Sequence, residues 1–94
     1  MQPRYQQWIA GEATPPKAGR YLDSTNPATG EKLTEIARGD ADDAAAAVAA
    51  ARAAFACWRD RKPIERGRIL LEIARIIRAR SKEFAELEQL ETCL

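Results

Sequence analysis

Apolar residues recur along the chain at two different periods, which divide it near residue 39. Short β-compatible runs lie at residues 5–9, 20–25 and 32–37, and in the last of these polar and apolar residues alternate. Alternation is typical of a half-buried strand. Between the second and third runs lies the sequence NPATGE, in which Pro27 presets φ and Gly30 tolerates the positive φ that closes a turn. The pattern therefore predicts a short strand at 5–9, a proline-containing loop at 14–19, and a hairpin formed by 21–25 and 32–37.

From residue 40 onward the apolar residues follow the helical period. Asp40 and Asp43 have the spacing of a carboxylate capping box, and ten alanines between residues 44 and 56 favour a helix, predicted at residues 40–57. Pro63 suits the first turn of a second helix, predicted at residues 63–92 with a possible bend near residue 81. The apolar stripe of this helix consists of Ile69, Ile73, Ile76, Ile77, Phe84, Leu87 and Leu90.

The chain contains few large side chains for its length. Of its 94 residues 43 are apolar, and 19 of these are alanine, which buries little surface. The hairpin and the alanine-rich helix therefore have little with which to cover the stripe. We expect a chain that is marginally folded or is completed by another surface.

Charge and composition exclude several classes of function. The chain has 15 basic and 14 acidic residues, and this balance argues against a nucleic-acid binder or a polybasic membrane anchor. No apolar run approaches the ~20 residues of a membrane span or resembles a signal peptide, so a cytoplasmic location is expected. The absence of histidine excludes a Ser-His-Asp relay, a Cys-His pair and any His-ligated metal within the chain.

Several residues have both a functional and a structural interpretation, and the structural one is favoured each time. Cys57 is expected to be a packing residue, because the negative end of a helix dipole disfavours a thiolate, and Cys93 is expected to be incidental. Gly67 favours close helix packing, and the aspartates at 40–43 favour capping over cation binding. The basic stretch 59–82 favours a solvated face over a phosphate site.

The order of the segments resembles the N-terminal segment of an NAD(P)-dependent aldehyde dehydrogenase. No single stretch is diagnostic, but the combination is specific and spans nearly the whole chain. The similar stretches are Trp8-Ile9-Ala10-Gly11-Glu12, the NPATGE turn, Gly39-Asp40-Ala41-Asp42-Asp43, the AVAAARAAF helix at 47–55 with Trp58 after it, the ERGRIL stretch at 65–70, Leu87-Glu88 and Glu91-Thr92.

This resemblance implies an α/β parent with a Rossmann-type cofactor domain, of which residues 1–94 form an N-terminal part. The parent would oxidise an aldehyde to a carboxylate with NAD or NADP, through attack of a cysteine thiolate, a thiohemiacetal, and a glutamate that activates water. Neither Cys57 nor Cys93 matches the nucleophile. We therefore expect no catalytic or cofactor-binding residue in this chain, no cofactor bound by it alone, and no dehydrogenase activity of the isolated chain.

One site is carried over from the resemblance. Some members of the family bind a monovalent cation through backbone carbonyls before the NP turn and an acidic side chain near the end of the second helix. The matching positions here are Ser24, Thr25 and Glu91.

The resemblance also implies the partners. These are the remainder of an aldehyde dehydrogenase subunit and, for the parent, further copies in a homo-oligomer, with no nucleic acid and no membrane. Cys93-Leu94 stands where the family usually continues with a Gly-Lys-Pro-like turn, which predicts a truncated product, a gene fragment or a frameshifted end. A free-standing helical interaction module that uses the isoleucine stripe is the alternative, and a basic phosphate-binding helix is a remote third.

Overall fold

The computed structural model describes residues 1–92, in which five short strands precede three helices. The strands are β1 (Arg4–Tyr5), β2 (Gln7–Ile9), β3 (Glu12–Thr14), β4 (Tyr21–Thr25) and β5 (Lys32–Ala37). The helices are α1 (Ala41–Arg59), α2 (Pro63–Ala79) and α3 (Ser81–Thr92). The strands form a three-stranded sheet of order β1-β5-β4 and a separate two-stranded sheet of β2 and β3.

The predicted hairpin of β4 and β5 is confirmed. The strands are antiparallel, with Tyr21 opposite Ala37 and Ser24 opposite Thr34, and the register then shifts so that Thr25 lies opposite Lys32. In the turn, the amide of Gly30 donates to the carbonyl of Asn26 at 2.7 Å, and Gly30 has a φ of 74°. Glycine adopts this conformation without the strain that a Cβ would cause.

The single strand predicted at residues 5–9 is wrong, because the chain changes partner at Gln6. β1 runs parallel to β5, whereas β2 pairs antiparallel with β3. β3 was not predicted, and Thr14 belongs to it instead of to a loop. The two-residue connection has a φ of 55° at Ala10 and 80° at Gly11, as in a tight hairpin turn with two positive φ values. Glycine is typical of such a turn but alanine is not, so only one of the two residues, Gly11, predicts it from the sequence.

The predicted capping box opens α1. Asp40 Oδ1 accepts from the amide of Asp43 at 3.1 Å, and Asp43 Oδ2 accepts from the amide of Asp40 at 3.0 Å. Two otherwise free amides at the start of the helix are thus satisfied reciprocally. The helix continues to Arg59, so Trp58 lies within its last turn and not after its end.

α2 and α3 form one bent rod, called here the α2–α3 rod (Pro63–Thr92). Arg80 separates the helices, and its φ of −109° and ψ of 19° are not helical. Helical hydrogen bonds nevertheless flank this residue, from the amide of Arg80 to the carbonyl of Ile76 and from the amide of Phe84 to the carbonyl of Arg80. The predicted second helix is therefore divided at this point into two segments that follow one another.

Among residues 1–92 the buried residues are Pro16, Thr34 and Asp43, and apart from this proline no apolar side chain is buried. The described part of the chain is elongated, with extents of 48 × 35 × 18 Å. None of its helices combines the length and the apolar character of a bilayer-spanning segment. Ile69 is half-buried, and the other large apolar residues of the helices are exposed: Val48, Phe55, Trp58, Ile64, Leu70, Leu71, Ile73, Ile76, Ile77, Phe84, Leu87 and Leu90.

Candidate functional site

The structure brings together two of the three residues predicted for a cation site. Ser24 is half-buried on β4, and its Oγ donates to Oε1 of Glu91 in the last turn of α3 at 3.2 Å. Thr25, the third residue, is exposed and follows at the register shift between β4 and β5. The contact joins positions 67 residues apart in the chain, so the hairpin and the end of the α2–α3 rod meet here.

This arrangement offers oxygen atoms and one negative charge. A carboxylate, a hydroxyl and nearby backbone carbonyls are hard ligands, which suit alkali and alkaline-earth cations better than transition metals. Within residues 1–92, no group of three or more His, Cys, Asp or Glu side chains could hold a metal ion.

A second cluster centres on Asp43, which joins three parts of the chain. Its Oδ1 accepts from Nε2 of Gln7 at 3.1 Å and from the amide of Lys17 at 3.0 Å, in addition to the capping bond that Oδ2 makes with Asp40. These hydrogen bonds favour the charged carboxylate and lower the pKa of Asp43 from 3.8 to about 2, the amide of Asp40 contributing most, then Gln7, then Lys17. We call this cluster the Asp43 junction.

The Asp43 junction supports the capping interpretation of the aspartates. Both oxygens of Asp43 already accept hydrogen bonds, and Asp42 pairs with Nζ of Lys17 at 3.3 Å. A Cβ on Gly39 would lie 2.6 Å from Oε1 of Gln7, so a side chain at position 39 would displace the end of this glutamine. Sequence reasoning identified the cap but not Gln7 or Lys17, because no local pattern marks contacts 36 and 26 residues away.

Charged side chains also join the three-stranded sheet across its strands. Arg4 on β1 pairs with Glu35 on β5 at 2.6 Å and lies 3.8 Å above the ring of Tyr21 on β4. Glu35 also accepts from Lys32 at 2.9 Å, and these two cations, Lys32 foremost, lower the pKa of Glu35. The network is exposed, so it positions the strands and adds little stability.

An open apolar groove of about 670 Å³ lies between the β2–β3 hairpin and α1. Trp8 is 75% exposed at its edge, and the small side chains of α1 leave its floor shallow. We call this the alanine groove. It is lined by Trp8, Ile9, Ala10, Gly11, Ala47, Ala50, Ala51, Ala53 and Ala54.

Two structural interpretations from the sequence do not hold within residues 1–92. Cys57, expected to be packed, is exposed on α1 with a free thiol. Gly67, expected to allow close helix packing, faces open space, because a Cβ there would meet no atom within 4 Å. Cys93 lies outside the described residues. In the basic stretch, Arg75 pairs with Glu72 at 2.6 Å on its own helix, as in a solvated, salt-bridged face.

Comparison with known proteins identifies the segment. The model of the aldehyde dehydrogenase family matches residues 14–93. The fluoroacetaldehyde dehydrogenase of Streptantibioticus cattleyicolor is 42% identical over 88 residues, which are 94% of this chain and 17% of that enzyme. The crystal structure of PnpE in complex with nicotinamide adenine dinucleotide is 41% identical, with a TM-score of 0.88 over 92% of this chain and 18% of its own. The NAD-dependent aldehyde dehydrogenase of Sinorhizobium meliloti is 35% identical, with a TM-score of 0.90 over 97% of this chain and 19% of its own.

These similarities confirm the predicted fold class, an α/β segment of the aldehyde dehydrogenase type. The chain spans less than one fifth of the length of these relatives. Complexes with NAD within the family agree with a nicotinamide cofactor in its complete members. Because the family match and the structural match both extend over most of its length, the chain belongs to the aldehyde dehydrogenase family.

Proposed function

We propose that the chain acts as the N-terminal structural segment of the cofactor-binding domain of an NAD(P)-dependent aldehyde dehydrogenase. The observation that carries this proposal is the uncovered apolar surface. Apart from Pro16, residues 1–92 bury no apolar side chain, although they have the strands, caps and helices of a folded segment. Such a surface is typical of a segment that packs on a larger body.

Two faces are suited to pack against the remainder of a subunit. The alanine groove allows a backbone to approach α1 closely, while Trp8 supplies a large anchor at its rim. The α2–α3 rod presents isoleucine and leucine along its length, and burying each of these side chains contributes about 1.5–3 kcal/mol. Packing of the segment on the remainder of the subunit therefore removes this apolar area from water and stabilises the subunit.

The complete enzyme, in this proposal, is a cytoplasmic homo-oligomer that oxidises an aldehyde to a carboxylate. NAD or NADP supplies the hydride acceptor when it is bound by the remainder of the subunit. This chain contributes no nucleophile, because Cys57 is at the end of a supporting helix and does not match the catalytic cysteine. The isolated chain is inactive and binds no nicotinamide cofactor.

Ser24, Thr25 and Glu91 form one side of a monovalent-cation site in the complete subunit. The 3.2 Å contact between Ser24 and Glu91 supports this proposal, because it holds a carboxylate beside the backbone of the register shift. The ligands that complete the site come from the remainder of the subunit. In this arrangement a bound cation links the hairpin to the α2–α3 rod.

A chimera tests the structural role directly. The matching segment of the fluoroacetaldehyde dehydrogenase of Streptantibioticus cattleyicolor is replaced by this chain, and aldehyde-dependent NADH formation is measured. We expect a soluble, active chimera, an inactive enzyme when the segment is deleted, and no activity of the isolated chain. An isolated chain that reduces NAD⁺ with an aldehyde, or a deletion variant as active as the chimera, would refute the proposal.

A further inference from the structure

We draw no further inference here: the strongest candidate, the alanine groove between the β2–β3 hairpin and α1, belongs to the apolar surface that the proposed function already assigns to contact with the remainder of the subunit, and nothing within residues 1–92 shows what covers it.

Discussion

Replacing Gln7 by methionine should raise the pKa of Asp43. The carboxylate accepts hydrogen bonds from the amide of Asp40, the side chain of Gln7 and the amide of Lys17, at 3.0–3.1 Å. Together they lower its pKa from 3.8 to about 2, so its proton affinity is reduced by a factor on the order of fifty. Methionine keeps the length of Gln7 but removes one donor, and the pKa should therefore move part of the way back toward 3.8.

The measurement is an NMR titration of the side-chain carboxyl carbon of Asp43. Gln6→Met is the matched control, since the side chain of Gln6 accepts from Tyr21 at 2.7 Å and does not reach the Asp43 junction. We expect a large shift of the pKa in the Gln7 variant and none in the Gln6 variant. A pKa near 3.8 in the unaltered chain, or equal shifts in both variants, would show that these hydrogen bonds do not control the carboxylate.

The same titration fixes the direction of the acid response. Because folding lowers the pKa of Asp43, its contribution to stability is fully present above 3.8, the ordinary pKa. The contribution is lost progressively as the pH falls from about 4 to about 2. In Gln7→Met the loss should still begin near pH 4 but should be complete at a higher pH than in the unaltered chain. Circular dichroism of the helices, followed against pH, would detect this difference.

Three further substitutions test the remaining contacts. Asp40→Ala removes the N-cap of α1 and should destabilise the chain by about 1 kcal/mol in urea denaturation, while asparagine at the same position should retain most of the stability. Gly39→Ala should displace Oε1 of Gln7, which would be 2.6 Å from the new methyl group, and this cost should largely disappear in a Gln7→Ala background, as a double-mutant cycle would show. Ser24→Ala removes the hydrogen bond to Glu91 and should accelerate amide hydrogen exchange in α3 but not in α1; equal acceleration in both helices would contradict a local role.

Features with local causes could be predicted from the sequence. The capping box depends on two aspartates three residues apart, α1 on its alanines, and the β4–β5 hairpin on a Pro–Gly turn between alternating residues. In each, the residues that determine the conformation are close neighbours in the chain. The family could also be recognised, because the order of several weakly specific stretches is itself specific.

Strand pairing at the N-terminus could not be predicted in this way. β1 contains two residues and β2 three, too few to show a period, and a continuous β-compatible run does not reveal that the chain changes partner at Gln6. The parallel pairing of β1 with β5 brings Arg4 opposite Glu35, a choice that depends on how the intervening hairpin folds back.

The amino-acid sequence by itself determined where the helices and the main hairpin form, and how much apolar surface they have to cover. Tertiary structure decided which distant groups meet, namely Gln7 and Lys17 at Asp43 and Ser24 at Glu91. The physical reason is that a cap or a turn is stabilised by neighbours a few residues away, so the local sequence is enough to predict it. A contact between residues 36 or 67 positions apart depends on the path of the whole chain between them.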